Sequence, residues 1–230
     1  MKYNMKSINN YISEKLIINR NIKSPYMYFP ETKEELKNII KQRIEEEGNE
    51  CNLNDIDVSK ITDISGLFYK SEFTGNISKW DVSNVKYMRG MFESSLFNGN
   101  ISEWDVGNVK DMRDMFRYSK FNQDISKWDV SNVIRMSCMF FDSIFNGDIS
   151  NWDVSNVEYM ESMFERSEFN GDISNWDVSN VEHMEYMFAY SKFDQDNISK
   201  WNVNNKIDLR KILAYSLLKG NATKWWKRTK

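Results

Sequence analysis

Five aspartates recur at one fixed interval along the chain: Asp81, Asp105, Asp129, Asp153 and Asp177. If successive copies stack, these carboxylates fall roughly 5 Å apart along the stack, close enough for calcium to bridge them. Calcium-binding repeats of that kind carry Gly-Gly-x-Gly-x-Asp, which supplies several oxygens per turn; the pattern is absent here. The competing use is structural. Each Asp, or the neighbouring Asn84, Asn108, Asn132, Asn156 or Asn180, would accept backbone N–H bonds in its turn and cap the helix that follows. That use is the one expected, so the column is a structural ladder and no metal is assigned. Met88, Met112, Met136, Met160 and Met184 keep the same period. Thioethers suit soft metals or haem, but their place on one inward stripe makes them core. His183 is the single histidine, so no nucleophile, base and orienter can be assembled around it, and no glycine-rich phosphate loop is present. No catalytic residue, no cofactor and no enzymatic activity is expected.

A repeat must position these residues. Trp80, Trp104, Trp128, Trp152 and Trp176 fall at that same interval, and Trp201 follows one place late. The copy from Trp152 reads Trp-Asp-Val-Ser-Asn-Val-x-x-Met-x-x-Met-Phe-x-x-Ser-x-Phe-Asn-Gly-Asp-Ile-Ser-Asn, and a degenerate first copy begins at Ile56. Ile77-x-x-Trp80-x-Val82 ends in alternation, which predicts a short strand with Trp80 and Val82 inward. Val85, Met88, Met91 and Phe92 are spaced i, i+3, i+6, i+7, which predicts about two helical turns. Neither element buries its apolar surface alone, so each copy must stack on the next. The expected fold is an α/β, right-handed solenoid of about six 24-residue strand-helix repeats.

The segment Ile149-x-x-Trp152-x-Val154, followed by Asn156, resembles the Leu-x-x-Leu-x-Leu-x-x-Asn core of leucine-rich repeats, with Trp in the second apolar place. Trp-Asp-Val-Ser-Asn-Val…Met…Met-Phe resembles more closely the signature repeat of the BspA-like leucine-rich-repeat proteins, found mainly on bacterial surfaces. The resemblance runs from Ile56 to about Leu213 and implies a ligand-binding solenoid without intrinsic catalysis.

Flanking segments supply the ends. Residues 1–55 form an arm and a capping helix: Thr32 and Glu35 make a capping box, and Leu36, Ile39, Ile40 and Ile44 form an apolar stripe that stops near Gly48. Residues 56–206 are the repeats. Residues 207–230 hold a second capping helix, from Ile207, Leu209, Ile212, Leu213, Leu217 and Leu218, and then a basic aromatic tail ending Lys224-Trp225-Trp226-Lys227-Arg228-Thr229-Lys230.

Thirty-one basic residues against 34 acidic give a net charge of −3, which excludes the strongly basic class of dedicated nucleic-acid binders. Cys51 and Cys138 have no metal-ligand spacing and are expected as free thiols in a reducing compartment. The first thirty residues hold no signal-peptide core, and no apolar run approaches a membrane span. The cytoplasm is therefore the expected compartment, and the cell surface only through an unrecognised export route.

Binding needs only the positions at which the copies differ. The residue before each Trp runs Lys79, Glu103, Lys127, Asn151, Asn175, Lys200, and the outward pairs run Lys86-Tyr87, Lys110-Asp111, Ile134-Arg135, Glu158-Tyr159 and Glu182-His183. Residues 152–175 carry six acids, Glu158, Glu161 and Glu165 among them, against Arg166 alone, whereas residues 201–230 carry eight bases against Asp208. Trp225, Trp226, Lys227 and Arg228 are of types enriched at binding hot spots; they either dock on a partner or fold back on the acidic copies. Stacking on single-stranded nucleic acid is a third use of such a tail. The expected function is a monomeric, non-enzymatic protein-interaction module acting as adaptor or inhibitor, with another protein or a nucleoprotein complex as partner. Two alternatives are a phage-type or mobile-element inhibitor of a host defence nuclease, of the CRISPR kind, and a bacterial surface adhesion module.

Overall fold

Once in every repeat the chain returns to lie against itself, and hydrogen bonds between successive returns hold it there. The computed structural model describes residues 24–194, 196–204, 207 and 209–215. The coils are numbered from the residue pattern: coil 1, 56–79; coil 2, 80–103; coil 3, 104–127; coil 4, 128–151; coil 5, 152–175; coil 6, 176–200.

Inside the stack run aromatic ladders. Phe68, Phe92, Phe116, Phe140, Phe164 and Phe188 stack with centroids 5.6–5.7 Å apart. Phe73, Phe97, Phe121, Phe145, Phe169 and Phe193 form a second ladder at 6.1–6.4 Å. All twelve rings are fully buried, and the two ladders touch within each coil at 4.2–4.7 Å. The tryptophans form a third column. A buried indole needs an acceptor for its N–H, and each finds one a coil earlier: Trp80, Trp104, Trp128, Trp152, Trp176 and Trp201 donate Nε1–H to the carbonyls of Leu53, Ile77, Ile101, Ile125, Ile149 and Ile173 at 2.9–3.2 Å.

The expected strand and helix of each copy are not what the chain forms. Among the described residues of the coils there is no α-helix, and the parallel contacts are single-residue bridges. Two of those bridges, Tyr28–Ile56 and Asn52–Asn76, tie the N-terminal segment to coil 1, and the rest lie at Asp63, Tyr87, Asp111, Arg135, Tyr159 and His183. None lies at Trp80–Val82, where the chain turns instead through Trp80 N–H to Ile77 and Val85 N–H to Val82. Over the supposed helix, alternate N–H groups serve different partners. Met91, Glu93 and Ser95 bond back three residues, to Met88, Gly90 and Phe92, while Met88, Gly90, Phe92 and Ser94 donate to Asp111, Arg113, Met115 and Arg117 of the next coil. A helix would keep these N–H groups for i−4 carbonyls and sever that inter-coil ladder. Two residues per coil have positive φ: Gly66 and Lys70, Gly90 and Ser94, Asp114 and Tyr118, Cys138 and Asp142, Ser162 and Arg166, Tyr186 and Tyr190. Each is the third residue of such a turn, the place where a type II turn needs the left-handed region.

Both described ends are covered. Helix α1, Lys33–Glu47, starts at Thr32, whose hydroxyl accepts from Glu35 N–H at 3.2 Å, and ends at Gly48, φ 88°. Leu36 and Ile40 join the core at the N-terminal end. Arg43, on the buried face of α1, makes a two-pronged bond to Asp55 at 2.9–3.0 Å and also pairs with Glu47. Burial works to lower the pKa of this guanidinium, but its bonds to Glu47 and Asp55 outweigh that and raise it. At the other end lies α2, the four residues Leu209–Ile212. Lys211, Ile212 and Ala214 carbonyls accept from Tyr186, Phe188 and Tyr190 N–H, so coil 6 passes its donors on. The N-terminal arm before residue 24, together with Leu217 and Leu218, lies outside the described residues.

Candidate binding surface

With Phe, Val and Ile turned inward in every coil, and Trp and Met from coil 2 onward, what the copies vary is carried outside. The Asp column lies on an exposed edge. Asp81, Asp105, Asp129, Asp153 and Asp177 each accept the N–H two residues on, at 3.0–3.1 Å, closing an Asx turn. That is the turn use expected of them, without a helix to cap. Hydrogen bonds from Ser131 and Ser179 hold the Asp129 and Asp177 carboxyls below their usual range. The asparagines act in the opposite sense to the one expected. Asn84, Asn108, Asn132, Asn156 and Asn180 do not accept in these bonds but donate Nδ2–H to the carbonyls of Ser59, Ser83, Gly107, Ser131 and Ser155, one coil back, at 2.7–2.9 Å. Among the described residues no group of three or more His, Cys, Asp or Glu side chains converges to hold a metal.

Lys79, Glu103 and Lys127 are exposed beside the Asp column, with Lys127 Nζ 3.4 Å from Glu103. The remaining candidates gather elsewhere, around the bridge residues. Tyr87 is exposed; Tyr159 and His183 stack at 5.1 Å and 6°, and the Arg135 guanidinium lies over the Tyr159 ring at 5.4 Å. Glu158, Glu161 and Glu165 stand half-buried in the same coil as Tyr159. Ser137 donates to Glu161, and Ser162 to Glu165. Trp225, Trp226, Lys227 and Arg228 lie outside the described residues.

Several residues of this face escaped the sequence reading. Arg117 pairs with Asp114 at 3.2 Å and sits against both Tyr118 and Phe141, at 5.0 and 4.6 Å. Arg113 binds Asp111 at 2.9 Å, Arg89 reaches Asp114 at 3.5 Å, and Arg166 lies over Tyr190, which stacks on Tyr215. These contacts join the bridge column, the positions two and three residues after it, and those six and seven residues after it, into one outward face. Cys138 is placed there as well, and burial followed by the nearby Asp114 pushes its thiol up to about 11. A column-by-column alignment carries the missing signal. The position before the bridge runs Lys86, Lys110, Ile134, Glu158, Glu182, and the position two after it runs Arg89, Arg113, Ser137, Glu161, Glu185. Each column passes from basic to acidic along the stack.

One family matches this chain twice, over residues 34–144 and 118–226, and is described as a Mycoplasma protein of unknown function, DUF285. The chain belongs to the DUF285 family. The two matches overlap across coils 3 and 4, as expected where a profile fits a run of equivalent copies in more than one register. No curated protein and no solved structure matches the chain. No described helix is long and apolar enough to cross a membrane.

Proposed function

We propose that this DUF285 protein is a non-enzymatic repeat protein of the BspA-like leucine-rich-repeat type. In this reading its coils form a right-handed solenoid that binds another protein in the cytoplasm as adaptor or inhibitor. The observation that carries the reading is the division of labour within each coil. Inward positions scarcely vary, while one outward face varies in charge and aromatic content and is held rigid by ladders from coil to coil. A surface fixed in advance loses little conformational entropy on binding, and Arg and Tyr are the types that dominate interface energetics. The test is affinity capture of the full chain from nuclease-treated lysate, with the wild type and with Glu158→Lys/Glu161→Lys/Glu165→Lys side by side. The expected result is a stoichiometric protein that survives nuclease and is lost with the triple reversal. Capture of nucleic acid alone, or of a protein indifferent to the reversal, overturns the proposal.

A further inference from the structure

We propose that one occupant of this face is a second copy of the same chain, packed antiparallel about a twofold axis that crosses coil 4; the proposal rests on the protein-binding reading above and names a partner for it. The sequence alone led us to expect a monomer. The order of charges in the columns points to a dimer.

When two identical faces meet about a twofold axis that lies in the interface and runs across the stack, each column meets its own copy in reverse order. Coil 2 then opposes coil 6, coil 3 opposes coil 5, and coil 4 opposes itself. In the column before the bridge, Lys86 meets Glu182 and Lys110 meets Glu158. In the column two after the bridge, Arg89 meets Glu185 and Arg113 meets Glu161. Six residues after the bridge, Arg117 meets Glu165. On the axis stand Ile134, Ser137 and Phe141, half-buried in the single chain and uncharged, and the exposed Asp142, which meets its own copy. Arg135, the one cation on the axis, is drawn over the Tyr159 ring of the next coil. Every cation-to-anion pair occurs twice in the dimer. Sliding the copies by one coil either way leaves one cation-to-anion pair per column in place of two, because the uncharged Ile134 and Ser137 then take a charged partner, so the full set of pairs selects this register. Parallel packing sets like charges together and is disfavoured.

Sedimentation equilibrium on the full chain at low salt tests this. The wild type is expected to dimerise, and to weaken as salt screens the pairs. Lys86→Glu/Lys110→Glu and Glu158→Lys/Glu182→Lys should each raise the dimer Kd on the order of 100-fold, because each turns four attractive contacts into repulsive ones. Mixed one to one, these two variants should form a heterodimer. The fourfold variant that carries both swaps should recover the homodimer. All four substitutions lie outside the core, and unchanged melting curves confirm folding. A wild type that stays monomeric at about 100 μM, or a dimer whose Kd ignores the swaps, overturns the proposal. A monomer that still loses its lysate partner on reversal of Glu158, Glu161 and Glu165 overturns self-pairing alone and leaves the broader reading standing.

Discussion

At the scale of single residues, the inward columns are fixed by unlike demands. A phenylalanine could fill much of the Trp128 site but cannot donate to the Ile101 carbonyl 3.1 Å away. Trp128→Phe should therefore cost about 2 to 3 kcal/mol in urea unfolding, since it leaves a buried acceptor unmet. Backbone handedness separates two changes. Gly90 sits at φ 59° and Ser94 at φ 56°. A left-handed L-residue costs about 1 to 2 kcal/mol, so Gly90→Ala should destabilise by about 1 kcal/mol. Ser94→Gly should be neutral or slightly stabilising, because the strain it relieves is offset by the freer unfolded chain; both are read from urea midpoints. The aspartates add a pH dependence. Asp129 and Asp177 have folded pKa values below the unfolded one, so their stabilisation is complete above the unfolded value of about 3.9 and is lost as pH falls through the folded value. The double variant Asp129→Ala/Asp177→Ala should show a smaller drop in urea midpoint between pH 7 and pH 3 than the wild type. The period, the inward Trp, Phe, Met and Val, and the turn use of Asp were legible in the sequence. The indole acceptors were not, because each is a backbone carbonyl more than a full coil back and carries no side-chain signature.

Between residue and molecule stands the coil, where the sequence misled. Val85, Met88, Met91 and Phe92 have helical spacing, but successive tight turns deliver the same inward side chains. The choice was settled by groups that a side-chain pattern does not register: the N–H donors of Met88, Gly90, Phe92 and Ser94 have carbonyls waiting in the next coil. One clue was present, since Gly66 and Gly90 occupy what would have been the middle of a helix, where glycine is a poor choice. One column of the charge gradient, Lys86 to Glu182, was legible in the outward pairs, but its companion, Arg89 to Glu185, was not, because it runs down columns while the chain is read along rows. The asparagine ladder offers a prediction at this scale. Asn156→Asp keeps the shape of the side chain but removes the donor to the Ser131 carbonyl; it should cost about 1 kcal/mol, measured by thermal unfolding at pH 7.

For the whole molecule, each coil contacts chiefly its neighbours, so stability should approach a sum of coil and interface contributions. Deleting residues 128–151, which brings Lys127 directly before Trp152 and preserves the period, should leave a folded and less stable protein by circular dichroism. Deleting α1 should not be tolerated in the same way, because it bares the end of the core that Leu36 and Ile40 cover.

The hydrogen bonds that join the coils run along the stack, and this gives the protein a mechanical character. Force applied between its two ends loads those bonds directly and one layer at a time, as in opening a zipper, rather than shearing many at once. Each layer that lets go releases one full coil of chain, about 80 Å of slack at the span of an extended backbone. A tether built this way yields in equal steps at low tension, lengthening severalfold while the remaining layers stay closed.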